Sequence, residues 1–441
     1  MSNLPTLFKV NFRDCSPVPL LLQDVFGGII NDHIIISCGC AAQVGQGKAR
    51  HFSYATWAVN RSDLLLEWDR KKEGKGGSGS LNIKYIKLPD FPGSGRQKGS
   101  SLVIDDQILL CWGGFSYYPC KKFTPDILKL PKKYPVGYSD GYALLSDGGK
   151  WVWKKLPNLP EFVHSGATLT RIGDWIYLYG GCEYHQSSFH TFHDHAGENV
   201  NLGSRLYRMR VDILKKYLSG GDGSEIPVWE RLVDCPGTPR MNHVGIEVNG
   251  RLFVQGGISG RPFGGEFYST VDNWCYDPTQ NKWSEIAKCP SSNTNWQSAI
   301  QAQNQYILLV GGAHTFNRGG TNEPRKVVDR DHNVTDGYGR MRHHSGVDRK
   351  GLMSADILVY DVVNNSYGHM DGTDPKFLNS GDNTILPLPR ELNNPLVVEL
   401  RPGLIGVICG EIEMNQRERS LLGGGLRTHL SNIFIVGEIS K

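Results

Sequence analysis

The chain has no uninterrupted run of about 20 apolar residues, so no membrane-spanning helix is expected. Residues 1–10 show no apolar core behind a basic start, so no secretory signal is expected either. Charge of one sign is not in excess. The 48 lysines and arginines face 44 aspartates and glutamates, and a net charge of +4 on 441 residues gives no argument for nucleic acid. The ten cysteines lack the spacing of a disulfide framework, and Cys38, Cys111, Cys182 and Cys409 fall inside strand-like runs. Reduced, buried thiols fit that placement, which makes a cytoplasmic location the expectation. The sequons at Asn60, Asn333 and Asn364 are then chance matches. The 53 glycines lack the three-residue period of collagen.

What is present is a repeat. A short apolar run ending in a glycine doublet returns at 107–114 (QILLCWGG), 175–181 (WIYLYGG), 251–257 (RLFVQGG) and 306–312 (YILLVGG). Looser copies stand at 33–39 (HIIISCG) and 404–411 (LIGVICGE). In the last copy Glu411 reads as the replacement of the second glycine by a carboxylate. A second short strand precedes each doublet strand across a tight turn: Asp105-Asp106, Gly173-Asp174 and Asn249-Gly250, the last a strong hairpin signal. The doublets are expected where innermost strands converge on an axis, because glycine allows close backbone approach and positive φ. After each doublet come a variable loop, a third strand, and an outer strand headed by an aromatic, clearest in 273–283 (NWCYDPTQNKW). Trp283 is expected between neighbouring sheets, with Tyr367 in that place in the next unit.

Doublet, later Tyr and Trp before the next unit together resemble the kelch-repeat family of β-propellers over nearly the whole chain. The resemblance implies an all-β fold, a six-bladed kelch β-propeller in a single domain over 1–441. Residues 7–12 and 432–438 would share one blade and close the ring, removing exposed sheet edges. Six units give roughly 70 residues each, above the ~50 of a bare kelch repeat, so long insertions are expected at about 71–80, 182–204 and 313–353. The last two leave one face, which becomes the expected binding face.

The loops on that face hold the candidate ligand-binding residues. They are Arg96 and Gln97, His164, Arg240, Asn242 and His243, Trp296, and Arg390, each read as entering the second strand of its hairpin. Equivalent positions in a propeller converge on the central channel, so these groups are expected either to form a polar ligand site or to cap strand ends. The histidines His185, His190, His193 and His195 stand near Glu183 and Asp194, but their spacing matches no zinc motif; no metal and no cofactor are expected.

A narrower resemblance is to the kelch-type sialic acid mutarotases, carried by 91–97 (FPGSGRQ), the long loop after the fifth doublet, and Gly410-Glu411. It implies a sugar isomerase that uses a general acid/base and a cation for the substrate carboxylate. The family's Glu follows the glycine of the fourth unit; here that stretch is Gly256-Gly257-Ile258. Glu411 as acid/base, with Arg427, is the substitute catalytic pair. Two expectations follow: a propeller that binds a protein or a glycan through its loop face, or an isomerase acting on an acidic sugar. Neither involves nucleic acid or a membrane.

Overall fold

The computed structural model describes residues 4–42, 50–75, 79–117, 135–160, 165–185, 188–191, 202–220, 225–260, 267–291, 295–313, 326–328, 330, 334–336, 353–378, 384–413 and 428–441. The expected hairpins form. Ser100–Ile104 pairs antiparallel with Ile108–Trp112, and Val244–Val248 with Arg251–Gln255. The latter turns through Asn249 and Gly250 at φ 52° and 76°, the two left-handed residues that a type I′ turn requires.

Two more strands extend each hairpin outward. Four antiparallel sheets of this kind begin with Phe26–Ile30, Ser100–Ile104, Thr168–Ile172 and Val244–Val248. An eight-stranded sheet supplies two further sets of four, beginning with Ser298–Ala302 and Leu396–Arg401. The six leading strands touch one another in a closed circuit, each meeting the next and the last returning to Phe26–Ile30. They are the innermost strands of a β-propeller. The doublets therefore end the second strand out, and the candidate loop residues enter the first strand of each hairpin, not the second. Two short helices, α1 (Arg61–Lys72) and α2 (Val211–Leu218), are inserted after the third strands of the first and third units.

The period of two along each second strand builds the core. Side chains alternate between faces, so Leu109 and Cys111 pack toward the first unit while Leu110 and Trp112 pack toward the third. Six apolar clusters result, one between each pair of neighbouring sheets. Outer-strand aromatics fill these wedges. Trp283 lies 5.1 Å from the rings of both Tyr179 and Tyr276 and donates to the Val233 carbonyl at 3.1 Å. Tyr367 takes that place one unit on, accepting from Asn273 Nδ2 and donating to Gln255 Oε1, both at 3.0 Å.

The chain ends meet as expected. Thr6–Asp14 pairs antiparallel with Phe434–Ser440 and becomes the outer strand of the sixth unit. It also pairs in parallel with Ser366–Gly372 of the fifth, so one strand covers two edges that would otherwise be open.

The doublets carry a finer rule. First positions have φ of 59–69° and second positions 91–110°. A β-carbon on Gly39, Gly114, Gly257 or Gly410 would stand 2.6–2.8 Å from a carbonyl oxygen of its own unit. The first position is ordinary left-handed backbone, which an L-residue reaches at a cost of roughly 1–2 kcal/mol; Cys38 and Cys409 occupy it at φ 60° and 59°. Cys38-Gly39 and Cys409-Gly410 are thus the doublets of the first and sixth units. Glu411 stands one residue beyond the doublet and does not replace its second glycine.

Candidate functional site at the channel mouth

The residues leading into the innermost strands build the mouth of the central channel in three tiers. The lowest is a pair of clamps. Arg240 is fully buried; it donates to the carbonyls of Thr238 (3.0 Å), Gly256 (3.1 Å) and Asp272 (2.7 Å), and to Asp272 Oδ2 (2.6 Å). Arg96 repeats the arrangement two units earlier, donating to Ser94 and Gly113 carbonyls and to both carboxylate oxygens of Asp140. Each guanidinium thus joins the first glycine of its doublet to the aspartate that opens the third strand. Burial would raise the Asp272 carboxyl, but the Arg240 charge and the Trp274 and Thr238 donors outweigh it and hold it below the ordinary value.

The second tier is a collar. Asp24, Lys98, Gly166, Asn242, Trp296 and Asn394, one per unit, all have φ between 46° and 69°. Their backbones hand hydrogen bonds around the axis. Gly166 donates to Lys98 O (3.0 Å), Asn242 to Gly166 O (2.8 Å), Trp296 to Asn242 O (3.2 Å) and Asn394 to Trp296 O (2.9 Å). The left-handed turn at each residue swings the next one onto the inner strand. Inside the collar is a cavity of about 160 Å³ lined by Asp24, Lys98, Asn242, His243, Gln297 and Asn394 among others. Lys98 Nζ lies 4.7 Å above the Trp296 ring. Their units, second and fifth, are opposite in the six-membered circuit, so this contact crosses the channel.

His243 faces the same cavity. It is 92 % buried, its ring is 5.0 Å from that of Tyr179, and among the described residues neither ring nitrogen has a hydrogen-bond partner. Burial, and then the Arg240 charge, push its pKa down to about 3, which keeps the imidazole neutral. Asn242 Nδ2 likewise has no partner among the described residues. Both can offer a polar atom to a ligand.

The third tier follows the doublets. Residues Cys40, Phe115, Cys182, Ile258 and Ala313 are each the first after a doublet, and all are buried. Each pairs with the residue that precedes the collar in its own unit. In the sixth unit this position is Glu411, paired with Asn393 and partly exposed. A carboxylate therefore stands where five units place an apolar or thiol side chain.

Of the other candidates, Gln97 is buried beside the collar and pairs with Phe115 through its backbone, and Arg390 is half-buried ahead of the sixth unit's collar. His164 and Arg427 lie outside the described residues, as do His193 and His195. Glu183–His185 and Ser188–Thr191 form a two-stranded ribbon. No group of three or more His, Cys, Asp or Glu residues suited to a metal is gathered among the described residues. The nine described cysteines are buried, and none is in a disulfide. Among the described residues no helix is long and apolar enough to cross a membrane. Sequence reasoning passed over Lys98, Asp24 and Asn394. The signal was their constant place, 14 or 15 residues before the first doublet position. A larger groove of about 510 Å³ lies at the far ends of the strands, between the fourth and fifth sheets, beside the Arg251–Asp277 pair.

A circuit of sheets joined by doublet-ended hairpins, with its loops gathered at one mouth, defines a β-propeller. Residues 239–290, which span the fourth unit, match the Kelch motif. The solved structure of YjhT has the same fold, with a TM-score of 0.54 at 14% identity over 97% of this chain and 99% of that one. Among curated proteins, the N-acetylneuraminate epimerase of Yersinia enterocolitica serotype O:8 / biotype 1B is 27% identical over 115 residues, 26% of each chain. The N-acetylneuraminate epimerase of Salmonella typhi is 24% identical over 92 residues, 20% of this chain and 24% of the relative. These matches span about a quarter of the length of the relatives.

Proposed function

We propose that the chain acts as one propeller domain whose channel mouth recognises a small acidic sugar of the N-acetylneuraminate class. The observation that supports this reading is the axial cavity, to which every unit contributes and which is lined largely by polar groups of mixed type. A recessed site with convergent donors and acceptors suits a hydroxyl-rich small molecule, whereas a protein partner would need a broad apolar patch. The partial similarity to N-acetylneuraminate epimerases points to the same ligand class. Titration calorimetry with N-acetylneuraminate tests it: saturable one-to-one binding is expected, and no heat at millimolar sugar would remove the proposal.

A second reading, that the chain also interconverts the anomers, is favoured by Glu411. The resembling enzymes carry their acid/base Glu directly after the fourth-unit glycine, a position held here by buried Ile258. Glu411 takes the equivalent position two units on. Anomerisation removes the proton of the anomeric hydroxyl, breaks the bond from the anomeric carbon to the ring oxygen, and protonates that oxygen; closure on the other carbonyl face reverses each step. One carboxylate can carry the proton both ways. Exchange NMR between the anomers should show acceleration by the wild type, reduced at least ~100-fold in Glu411→Gln, as for loss of a general acid/base. A wild-type rate equal to buffer would eliminate catalysis and leave binding standing.

A further inference from the structure

Two of the arginines expected at the ligand site are committed elsewhere. Arg96 and Arg240 are buried with their donors spent on carbonyls and aspartates of the fold. Among the described residues lining the axial cavity, Lys98 is the one cation. Its ammonium lies over the Trp296 ring, 4.7 Å from the centroid, across the channel from its own unit.

We infer that Lys98 and Trp296 form a cross-channel latch that a monoanionic sugar opens, its carboxylate taking the lysine and its ring stacking on the indole face that the lysine covers. The inference rests on the acidic-sugar reading and specifies how that site selects its ligand. Three observations carry it. A cation held on an aromatic face keeps its charge at the mouth, and an incoming carboxylate is a stronger partner for it than the ring. Trp296 holds the φ of 56° that the collar step requires, a region bulky residues seldom enter, and this sets a large aromatic at the mouth where the other units have smaller or flexible side chains. The collar fixes it there through two hydrogen bonds, from its N–H to Asn242 O and from Asn394 N–H to its own carbonyl.

The neighbouring groups sharpen the ligand's charge. Asp24, whose Oδ2 accepts from Gln23 Nε2 at 3.1 Å, lines the same cavity. A single cation can pair with one negative charge, while Asp24 beside it repels a second, which disfavours a dianion such as a sugar phosphate. Asn242, His243 and Asn394 remain for hydroxyl and amide groups.

The test measures calorimetric affinity for N-acetylneuraminate and its neutral methyl ester, with wild type, Lys98→Met and Lys98→Gln, alongside 19F NMR of 5-fluorotryptophan protein. The Trp296 resonance is assigned from Trp296→Phe. Wild type is expected to prefer the acid at least 10-fold, both Lys98 variants are expected to bind acid and ester alike, and the Trp296 signal should shift on adding the acid. Equal wild-type affinity for acid and ester would overturn the latch while leaving sugar binding intact. An unmoved Trp296 resonance under saturation would overturn it too. Failure of both ligands to bind wild type would overturn the underlying reading as well. Unfolding midpoints of both Lys98 variants matching wild type confirm that lost preference is not lost fold.

Discussion

Replacing Arg240 by methionine separates a structural clamp from a ligand arm. The Arg240 side chain is fully buried and that of Asp272 is 3% exposed, so the substitution strands a carboxylate that water cannot reach. It also removes the donors to the Thr238, Gly256 and Asp272 carbonyls. Breaking a buried pair by removing one partner costs about 3–5 kcal/mol, and that is the expected loss for Arg240→Met. Arg96→Met should cost less, about 1–3 kcal/mol, because its partner Asp140 is 27% exposed and can rehydrate. Adding Asp272→Asn to Arg240→Met should recover part of the loss, since the stranded charge disappears. Guanidinium unfolding followed by tryptophan fluorescence measures all four proteins. An Arg240→Met variant with an unchanged midpoint and abolished sugar binding would refute the clamp and restore Arg240 to the ligand site.

Two other consequences can be checked the same way. Gly410→Ala should destabilise by at least ~2 kcal/mol, because φ is 104° and the new β-carbon would meet Asn393 O at 2.6 Å, whereas Cys409→Gly should change stability by under ~1 kcal/mol. Equal effects would contradict the placement of Cys409-Gly410 as the sixth doublet. His243 titrates at about 3 when folded against an ordinary 6.5. Its unfolded form takes up a proton first as pH falls, so its contribution is intact above pH 6.5 and is lost from there toward 3. The slope approaches ~1.4 kcal/mol per pH unit per proton. His51, pushed down to about 4 by burial, acts in the same direction. His243→Gln should therefore reduce the acid slope of stability by about one proton, and an unchanged slope would show that the imidazole is not buried neutral.

The sequence was most legible where backbone geometry dictates residue type. Second-position φ near 100° excludes a β-carbon, so the doublets announced the units, and Asn249-Gly250 announced its turn. The pairing of Thr6–Asp14 with Phe434–Ser440 was legible from the need to close the ring and cover its edges. The channel lining was less so. Arg96 and Lys98 are two residues apart, yet one is buried under a doublet and the other crosses the axis, because the left-handed step at Lys98 redirects the chain. That step has no compositional signature, since Asp, Lys, Gly, Asn and Trp all take it. Glu411 was found for a different reason than the one that makes it distinctive: Cys409 completes the doublet, and the carboxylate interrupts a ring of buried side chains.

The most direct test of an axial site is a crystal structure of the protein soaked in N-acetylneuraminate. Sugar density inside the collar, with its carboxylate on Lys98 and its ring against Trp296, is the predicted result. Density in the groove beside Arg251 and Asp277, with an empty channel mouth, would contradict it.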